Sequence, residues 1–475
     1  MRGPDWALRF WRGPGGAREV LSIAYPLILS QMSFTVQVFV DRLFLTWYSA
    51  EAVAGAVTGL FVTWSVVGLC IGTGEYVTTF VAQYYGARRF PRIGAALWQG
   101  IYFSVLAGAL IACLTPFAGA LFAHTGHAPI LQEYETTYSR LLLLGSGPVI
   151  LMATLSSFFA GRGRTLPVLV VNVAATAVNT VLDYCWIFGH AGFPRAGVAG
   201  AALATITSQV FGCVVYLFLI FEPEHRRAFA TLAAWRPEPA LFWRLLRYGI
   251  PAGLQFSMEI LAFAIFMVII GRLGTTPLAA SGIAFNLNMI VFMPLLGIGM
   301  SVSSLVGRYL GADQPDHAER SARSAFSTAS VYLGICCALY VLAPGLLLAP
   351  YAAGADPSSF AEVERIAIVL LRFVALYSLF DMMNVIFSAA LRGAGDTTYP
   401  LVATLVLSWT VMVIPSYVLC AYLGAGVYTA WTTAFAYCFM VGLLVLRRFR
   451  KGRWKSMRVI ETPVIALSER AAEPA

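Results

Sequence analysis

Four polar residues interrupt an otherwise apolar stretch of the chain, Asn172, Thr176, Asn179 and Asp183, at steps of four, three and four. On a helix those steps put all four side chains on one face. At ~1.5 Å per residue the segment from Thr165 to Phe188 is long enough to cross a ~30 Å hydrocarbon layer. A carboxylate at that depth is costly unless it faces protein or a water-filled cavity, so it marks a place where chemistry is done. Carboxylates, amide carbonyls and hydroxyls together suit a hard cation: a proton or Na⁺.

A second stripe lies on the first apolar segment, where Ser30, Ser33, Gln37 and Asp41 follow at steps of three, four and four. Asp41 and Asp183 lie at similar depths, ~27–30 Å along their helices from the same side. Thr205, ~12 Å into its own segment from the other side, reaches a comparable level. Arg42 follows Asp41 but points elsewhere on the helix. Two carboxylates at one level with no cation between them couple, so the pair can take up a proton near neutral pH. The same oxygens suit Na⁺, and the sequence leaves both open.

The second half of the chain carries its own acids. Glu259 follows Gln255 by one turn, and Asp381 belongs to the stripe Tyr377, Asp381, Asn384, Ser388. Asp381 is ~15 Å from the basic side, near the midplane. With Glu75 these complete five acids in span interiors out of 23 in the chain. Arg140 and Arg372 lie far enough along their helices to snorkel to the outer interface. The expected interior is therefore net acidic, which favours cationic, partly apolar solutes.

The elements that must position these residues are membrane helices. The chain is 59% hydrophobic and 12% charged, about half the charged fraction of a soluble domain. Twelve spans are expected, at about 20–44, 53–85, 93–122, 134–160, 165–188, 197–221, 241–270, 276–307, 321–349, 362–391, 398–422 and 426–446. They group into a cytoplasmic N-terminal lead-in (1–19), an N-lobe of six spans (20–221), a cytoplasmic linker (222–240), a C-lobe of six spans (241–446) and a basic cytoplasmic tail (447–475) expected to be disordered at its end. Of the 32 Lys and Arg residues, 26 fall on the side that carries both termini. That places both termini in the cytoplasm.

The two halves repeat. Pro26 matches Pro251, AEAVAGA (Ala50–Ala56) matches TTPLAAS (Thr275–Ser281), and VAQYYGA (Val81–Ala87) matches VGRYLGA (Val306–Ala312), all at an offset of 225. GRGRT (Gly161–Thr165) matches GAGDT (Gly393–Thr397) and GVAGAA (Gly197–Ala202) matches GVYTAW (Gly426–Trp431) at drifting offsets. An even number of spans per half makes the repeats parallel, related by an axis along the membrane normal, with the working site between them.

The remaining motifs exclude rather than assign. The eight cysteines (Cys70, Cys113, Cys185, Cys213, Cys336, Cys337, Cys420, Cys438) lie in apolar segments without a C-x-x-C pair, and the five histidines, His124 among them, are scattered. Neither a disulfide framework nor a zinc site is indicated. The net charge of +9 sits at membrane ends and does not call for nucleic acid. Gly55-x-x-x-Gly59 and Gly68-x-x-x-Gly72 allow close helix packing. Pro26, fifteen residues before Asp41, is a candidate hinge.

These residues resemble the multidrug and toxic-compound extrusion (MATE) transporters, especially their NorM-like branch, over about residues 17–446. The resemblance rests on YPLILSQ and FVD in span one, VAQYYGA after span two, VNTVLD on span five, GVAGAALAT on span six, QFSME on span seven, GRYLGA after span eight and FDMMNVIFSAALRGAGDT on span ten. It implies an all-α polytopic membrane protein, a pair of pseudo-symmetric six-helix bundles in a bacterial inner (plasma) membrane. It also implies a cation-coupled exporter of small cationic or amphiphilic compounds that works by alternating access and needs no cofactor beyond H⁺ or Na⁺. Asp41, Asn179, Asp183 and Thr205 match the family's first-lobe cation site, with Na⁺ as a possible ligand, and Glu259 and Asp381 the acidic pair of its second lobe. Glu75 departs from the pattern and, with Gln37, Asn172, Thr176, Gln255, Tyr377 and Asn384, is a candidate for the cavity wall. A monomer is expected.

Two other readings stay open. A flippase of a lipid-linked pyrophosphate precursor, from the same superfamily, needs several arginines in the cavity. A membrane-embedded enzyme needs a nucleophile–base pair or metal cluster at membrane depth, and no histidine lies in a span core.

Overall fold

The computed structural model describes residues 11–123, 127–352 and 357–461; residues 1–10 and 462–475, His124 and the rest of 124–126, and 353–356 lie outside the described residues. Among the described residues every regular element is a helix. The first half runs α1 (Ala17–Tyr48), α2 (Ala50–Glu75), α3 (Val77–Gly86), α4 (Phe90–Ala112), α5 (Phe117–Ala123), α6 (Pro129–Leu144), α7 (Ser146–Gly161), α8 (Leu166–Phe188) and α9 (Gly197–Ile220). A short α10 (Pro223–Phe229) leads to α11 (Pro239–Gly271), α12 (Thr275–Gly311), α13 (Pro315–Leu342), α14 (Pro344–Ala352), α15 (Pro357–Ala394), α16 (Thr398–Leu407), α17 (Ile414–Ala421) and α18 (Val427–Arg450). A π-helical turn, Ser408–Val413, joins α16 to α17, and a 3₁₀ turn, Arg453–Ser456, follows α18.

Eleven helices or near-continuous helix runs are long and apolar enough to cross a membrane, and the pair α6–α7, bent by 47° at Gly145, supplies a twelfth span. The protein is an all-helical integral membrane protein of two six-helix bundles. Spans three and nine stop earlier than the sequence pattern suggests, at Ala112 and Leu342. Pro116 and Pro344 lie four and two residues further on, and a proline disfavours helical backbone in the residue before it.

Local chemistry sets the ends. Glu19, at the third position of α1, accepts at 2.7 Å from the backbone N–H of Gly15, the residue before the N-cap Gly16, and ties down the chain that enters the helix. A single residue, Ser49, turns α1 into α2, its Oγ accepting from Ala52 N–H at 3.0 Å. α8 has a proline in its first turn and ends at Gly189, whose φ of +79° only glycine adopts freely.

The halves meet around a pseudo-twofold axis that the backbone records. A Cβ built on Gly72 would lie 2.7 Å from Gly253 Cα, and one built on Gly297 would lie 2.8 Å from Ile28 Cα. Adding 225 to Gly72 gives Gly297, and adding it to Ile28 gives Gly253. Gly86 abuts the carbonyl of Arg308, and Gly311 abuts the carbonyl of Gln83, again at the same offset. Self-complementary pairing of this kind is what a twofold produces. The close approaches run from the middle of the bundles to the end that carries the α3–α4 turn, the central connector and the C-terminal segment, called here the basic end. There Thr73 donates to Gly249 O (3.3 Å), Tyr76 to Arg392 O (2.9 Å) and Gln83 to Gly393 O (3.0 Å).

The central connector folds back on the first bundle. Arg162, 7% exposed, lies 3.9 Å over the Phe158 ring and 4.6 Å over that of Phe229, and its Nε donates to Phe158 O at 2.9 Å.

Candidate functional site

α1 and α8 run side by side in the same direction, and their polar stripes meet rung by rung. Asn172 donates to Ser30 Oγ, and Thr176 donates to the Ser33 carbonyl at 3.4 Å. Pro26 and Gln37 are buried on the α1 side, and α1 continues as helix through Pro26.

The ladder ends in a carboxylate pair. Asn179 and Asp183 are fully buried and Asp41 is 8% exposed. With its amide nitrogen turned toward the acids, Asn179 donates to Asp41 Oδ1 at 3.1 Å and to Asp183 Oδ2 at 3.2 Å. The two carboxyl groups lie within hydrogen-bonding reach of each other. Buried carboxylates this close need a proton or a cation between them. Asp183 Oδ1 and Thr205 Oγ1 are both buried with no hydrogen-bond partner, so each has a lone pair free for an incoming cation. Thr205 makes no hydrogen bond to either acid. Tyr138, which the sequence did not single out, lies in the electrostatic field of both.

A second acidic group lies in the other bundle. Asn384 donates to Glu259 Oε1 at 3.3 Å and accepts from Ser388 Oγ at 3.1 Å. Glu259 and Asp381 are electrostatic neighbours. Gln255 donates to Thr404 Oγ1 at 3.5 Å, while Gln255 Oε1 and the hydroxyls of Tyr377 and Tyr437 are buried without partners. Tyr437, on α18, is a further residue the sequence missed. The spacing of Thr433 and Tyr437 puts both on one face of α18, the only signal available.

Glu75 terminates α2 between the bundles. Its side chain is exposed although protein surrounds it, as expected for a group facing an open cleft. It shares the field of one cation, Arg392, with Glu259. The sequence placed Arg392 among the basic-side residues and left the acids without a neighbouring cation. In the fold Arg392 is half-buried and serves both glutamates, because α15 ends inside the junction of the bundles and not beyond it. The set of five membrane acids is also one short. Glu135, at the edge of the fourth span, is completely buried, with Oε1 2.9 Å from His127 Nδ1 and Oε2 unpartnered.

Among the described residues no three His, Cys, Asp or Glu side chains gather as a metal site. The arrangement is one of buried oxygen donors at two places, one in each bundle, with Glu75 and Arg392 at their junction.

The MatE family model matches residues 26–185 and 251–418, more than half of the chain and once in each bundle. The chain belongs to the MatE family. With its NorM relatives, the match places it with the multidrug and toxic-compound extrusion transporters, in their NorM-like branch. This MatE protein is 27% identical over 450 residues to a Thermotoga maritima protein described as "Probable multidrug resistance protein NorM", covering 93% of this chain and 94% of that one. It is 29% identical over 398 residues to the multidrug resistance protein PmpM of Pseudomonas aeruginosa, covering 82% and 81%. Its fold superposes on the outward-facing conformation of a multidrug resistance MATE family transporter of the MOP superfamily with a TM-score of 0.84, at 19% identity, over 96% of this chain and 99% of that one.

Proposed function

We propose that this MatE protein is a secondary active multidrug exporter that exchanges cationic amphiphilic compounds for H⁺ or Na⁺ by alternating access. The observation that carries the reading is the Asn179-bridged pair Asp41–Asp183, with an unpartnered oxygen on Asp183 and another on Thr205. A buried site that is incomplete without a proton or cation supplies the differential affinity that a coupled cycle needs. The acids Glu75, Glu259 and Asp381 favour positively charged cargo. The relatives described as multidrug resistance proteins support drugs as the cargo.

In this reading the basic end faces the cytoplasm of a bacterial inner membrane, and residues 20–221 and 241–446 are the two moving lobes. With the bundles joined at the basic end, the cleft opens outward. Cation entry neutralises Asp41 and Asp183, relaxes the α1–α8 ladder near Pro26 and releases the drug. Opening of the basic end then admits the next substrate. A lipid-pyrophosphate flippase would want several cleft arginines, whereas Arg392 faces Glu75 and Glu259.

The test is export of a fluorescent organic cation from vesicles under a pH gradient or an Na⁺ gradient imposed separately, with Asp41→Asn and Asp183→Asn beside the wild type. Export driven by one gradient and abolished in both variants supports the reading and identifies the ion. Export by neither gradient, with variants equal to wild type, overturns it, and flipping of a lipid-linked precursor is then assayed.

A further inference from the structure

The chain does not end its structural work at α18. Trp454 is 1% exposed and stacks on Phe449 at 4.9 Å and 14°, with its Nε1 donating to Phe449 O at 2.8 Å. This turns residues 451–461 back across the basic end. Lys455 pairs with Glu319 (2.5 Å) and Asp316 (3.2 Å), and Arg458 with Asp313 (3.0 Å), all on the second bundle. Val459 is buried, and its N–H donates at 2.8 Å to Gln83 Oε1 of the first bundle.

The segment then delivers one carboxylate to a cluster drawn from both bundles. Glu461 Oε1 accepts from Arg92 Nη2 at 2.7 Å and from Arg244 Nη2 at 2.9 Å, and Oε2 accepts from Tyr84 OH at 2.8 Å. Arg89 donates to the Glu461 carbonyl at 3.0 Å. Tyr84, Arg89 and Arg92 belong to α3, the following turn and α4; Arg244 belongs to α11. Glu238 takes the other side of Arg92 at 2.7–2.8 Å.

We infer that Tyr84, Arg89, Arg92 and Arg244 form a carboxylate-binding site that exists only while the basic ends of the two bundles are together, that its ligand is Glu461 of this same chain, and that its occupancy latches the basic end shut. Arginines on two bodies cannot share one carboxylate once those bodies part. Each opening of the basic end therefore releases Glu461 from at least one side. A charge-assisted, multi-donor site makes this release a real barrier, and the carboxylate that fills it is part of the chain, so the closed arrangement re-forms at high effective concentration. The latch sets how often the basic end opens. The link to drug export rests on the alternating-access reading above, whereas the link to closure does not.

The experiment is hydrogen–deuterium exchange on the full chain in detergent or lipid nanodiscs, comparing wild type, Glu461→Gln and Glu461→Asp. Glu461→Gln is expected to speed exchange in segments 77–92 and 306–316 by roughly tenfold, as loss of a multiply bonded charge predicts. Glu461→Asp, which keeps the carboxylate, is expected to stay close to wild type. Raising salt should speed exchange more in the wild type than in Glu461→Gln. If Glu461→Gln alters exchange only within residues 451–461, the strap decorates the surface and the latch is refuted. If exchange behaves as expected while neither gradient drives dye export, the latch stands and the exporter reading falls.

Discussion

Gly72 and Gly253 pass each other across the boundary of the two bundles with backbone against backbone, a Cβ on Gly72 falling 2.7 Å from Gly253 Cα. Gly253 is equally constrained by the Leu69 carbonyl and Thr73. Gly253→Val is therefore expected to force α2 and α11 apart, at a cost of about 1–3 kcal/mol of overpacking, and to lower export at least about fivefold. Gly282→Val, where a Cβ meets nothing within 4 Å, is the control. Equal export by both variants in the vesicle assay would remove this crossing from the closure of the basic end.

Asn179 is the donor that lets Asp41 and Asp183 share a buried space. Asn179→Leu leaves two carboxyl groups with no amide between them. Loss of a hydrogen bond to a charged group costs about 1.5–3 kcal/mol, so gradient-driven export is expected to fall by more than about tenfold while the protein still elutes as a folded species. Retention of wild-type coupling would show that the amide only packs.

Glu75 faces the cleft beside Arg392 and Glu259. Removing one charge about 12 Å from a bound cation is worth roughly tenfold in affinity at an effective dielectric of about 20. Glu75→Gln should raise KM for a monocationic dye by about that factor and leave a neutral amphiphile almost unaffected. The same shift for both substrates would place Glu75 outside the cargo path.

At the strap, burial works against the charged form of Glu461, but hydrogen bonds from Arg244 and Tyr84 and the Arg244 charge override it and hold its carboxyl down at about 2. A carboxyl with a depressed value stabilises the bound form above its free value of about 4.3 and loses that contribution only as pH falls through the depressed one. The groups facing it are Tyr84, Arg89, Arg92 and Arg244, with Glu238 behind Arg92. Exchange at segments 77–92 and 306–316 should thus be flat, after correction for intrinsic rates, between about pH 5 and pH 9. A step in that window would mean that another group governs closure.

Arg162 fastens the central connector through Phe158 and Phe229. Arg162→Ala removes a buried cation–π contact and its hydrogen bond, and about 1–3 kcal/mol of stability is expected to go with them. Thermal unfolding of purified protein measures it. Arg164→Ala, on an exposed side chain, should leave the midpoint in place.

The stripes on α1 and α8 were legible because helical periodicity is local: Ser30, Gln37 and Asp41, or Asn172, Asn179 and Asp183, share a face whatever the rest of the chain does. The offset of 225 that relates Pro26 to Pro251 also relates the glycine contacts at Gly72 and Gly297, so the repeat carried tertiary information. The pairing of Arg392 with Glu75 and Glu259 was missed because the sequence sets distance along a helix but not where that helix ends relative to its neighbours. Tyr138 and Tyr437 were invisible for a different reason. A lone phenol in an apolar helix has the same pattern whether it packs, anchors at an interface or faces a buried acid. Glu135 escaped notice at the edge of a span, and Glu461 because it lies beyond the last span, where its partners, Tyr84, Arg92 and Arg244, are hundreds of residues away.

The π-helical turn Ser408–Val413 sets the phase of the helix it interrupts. In an unbroken α-helix Thr404 and Ser416 would point about 120° apart, whereas one extra residue absorbed by the wider turn brings them to within about 20°. Both accordingly face α18, Thr404 toward Tyr437 and Ser416 onto Thr433 at 2.5 Å. Deleting one residue from this turn would keep an apolar span of nearly the same length yet swing Ser416 toward lipid. A related chain lacking that residue aligns with this one only if a gap is opened in the middle of a transmembrane helix.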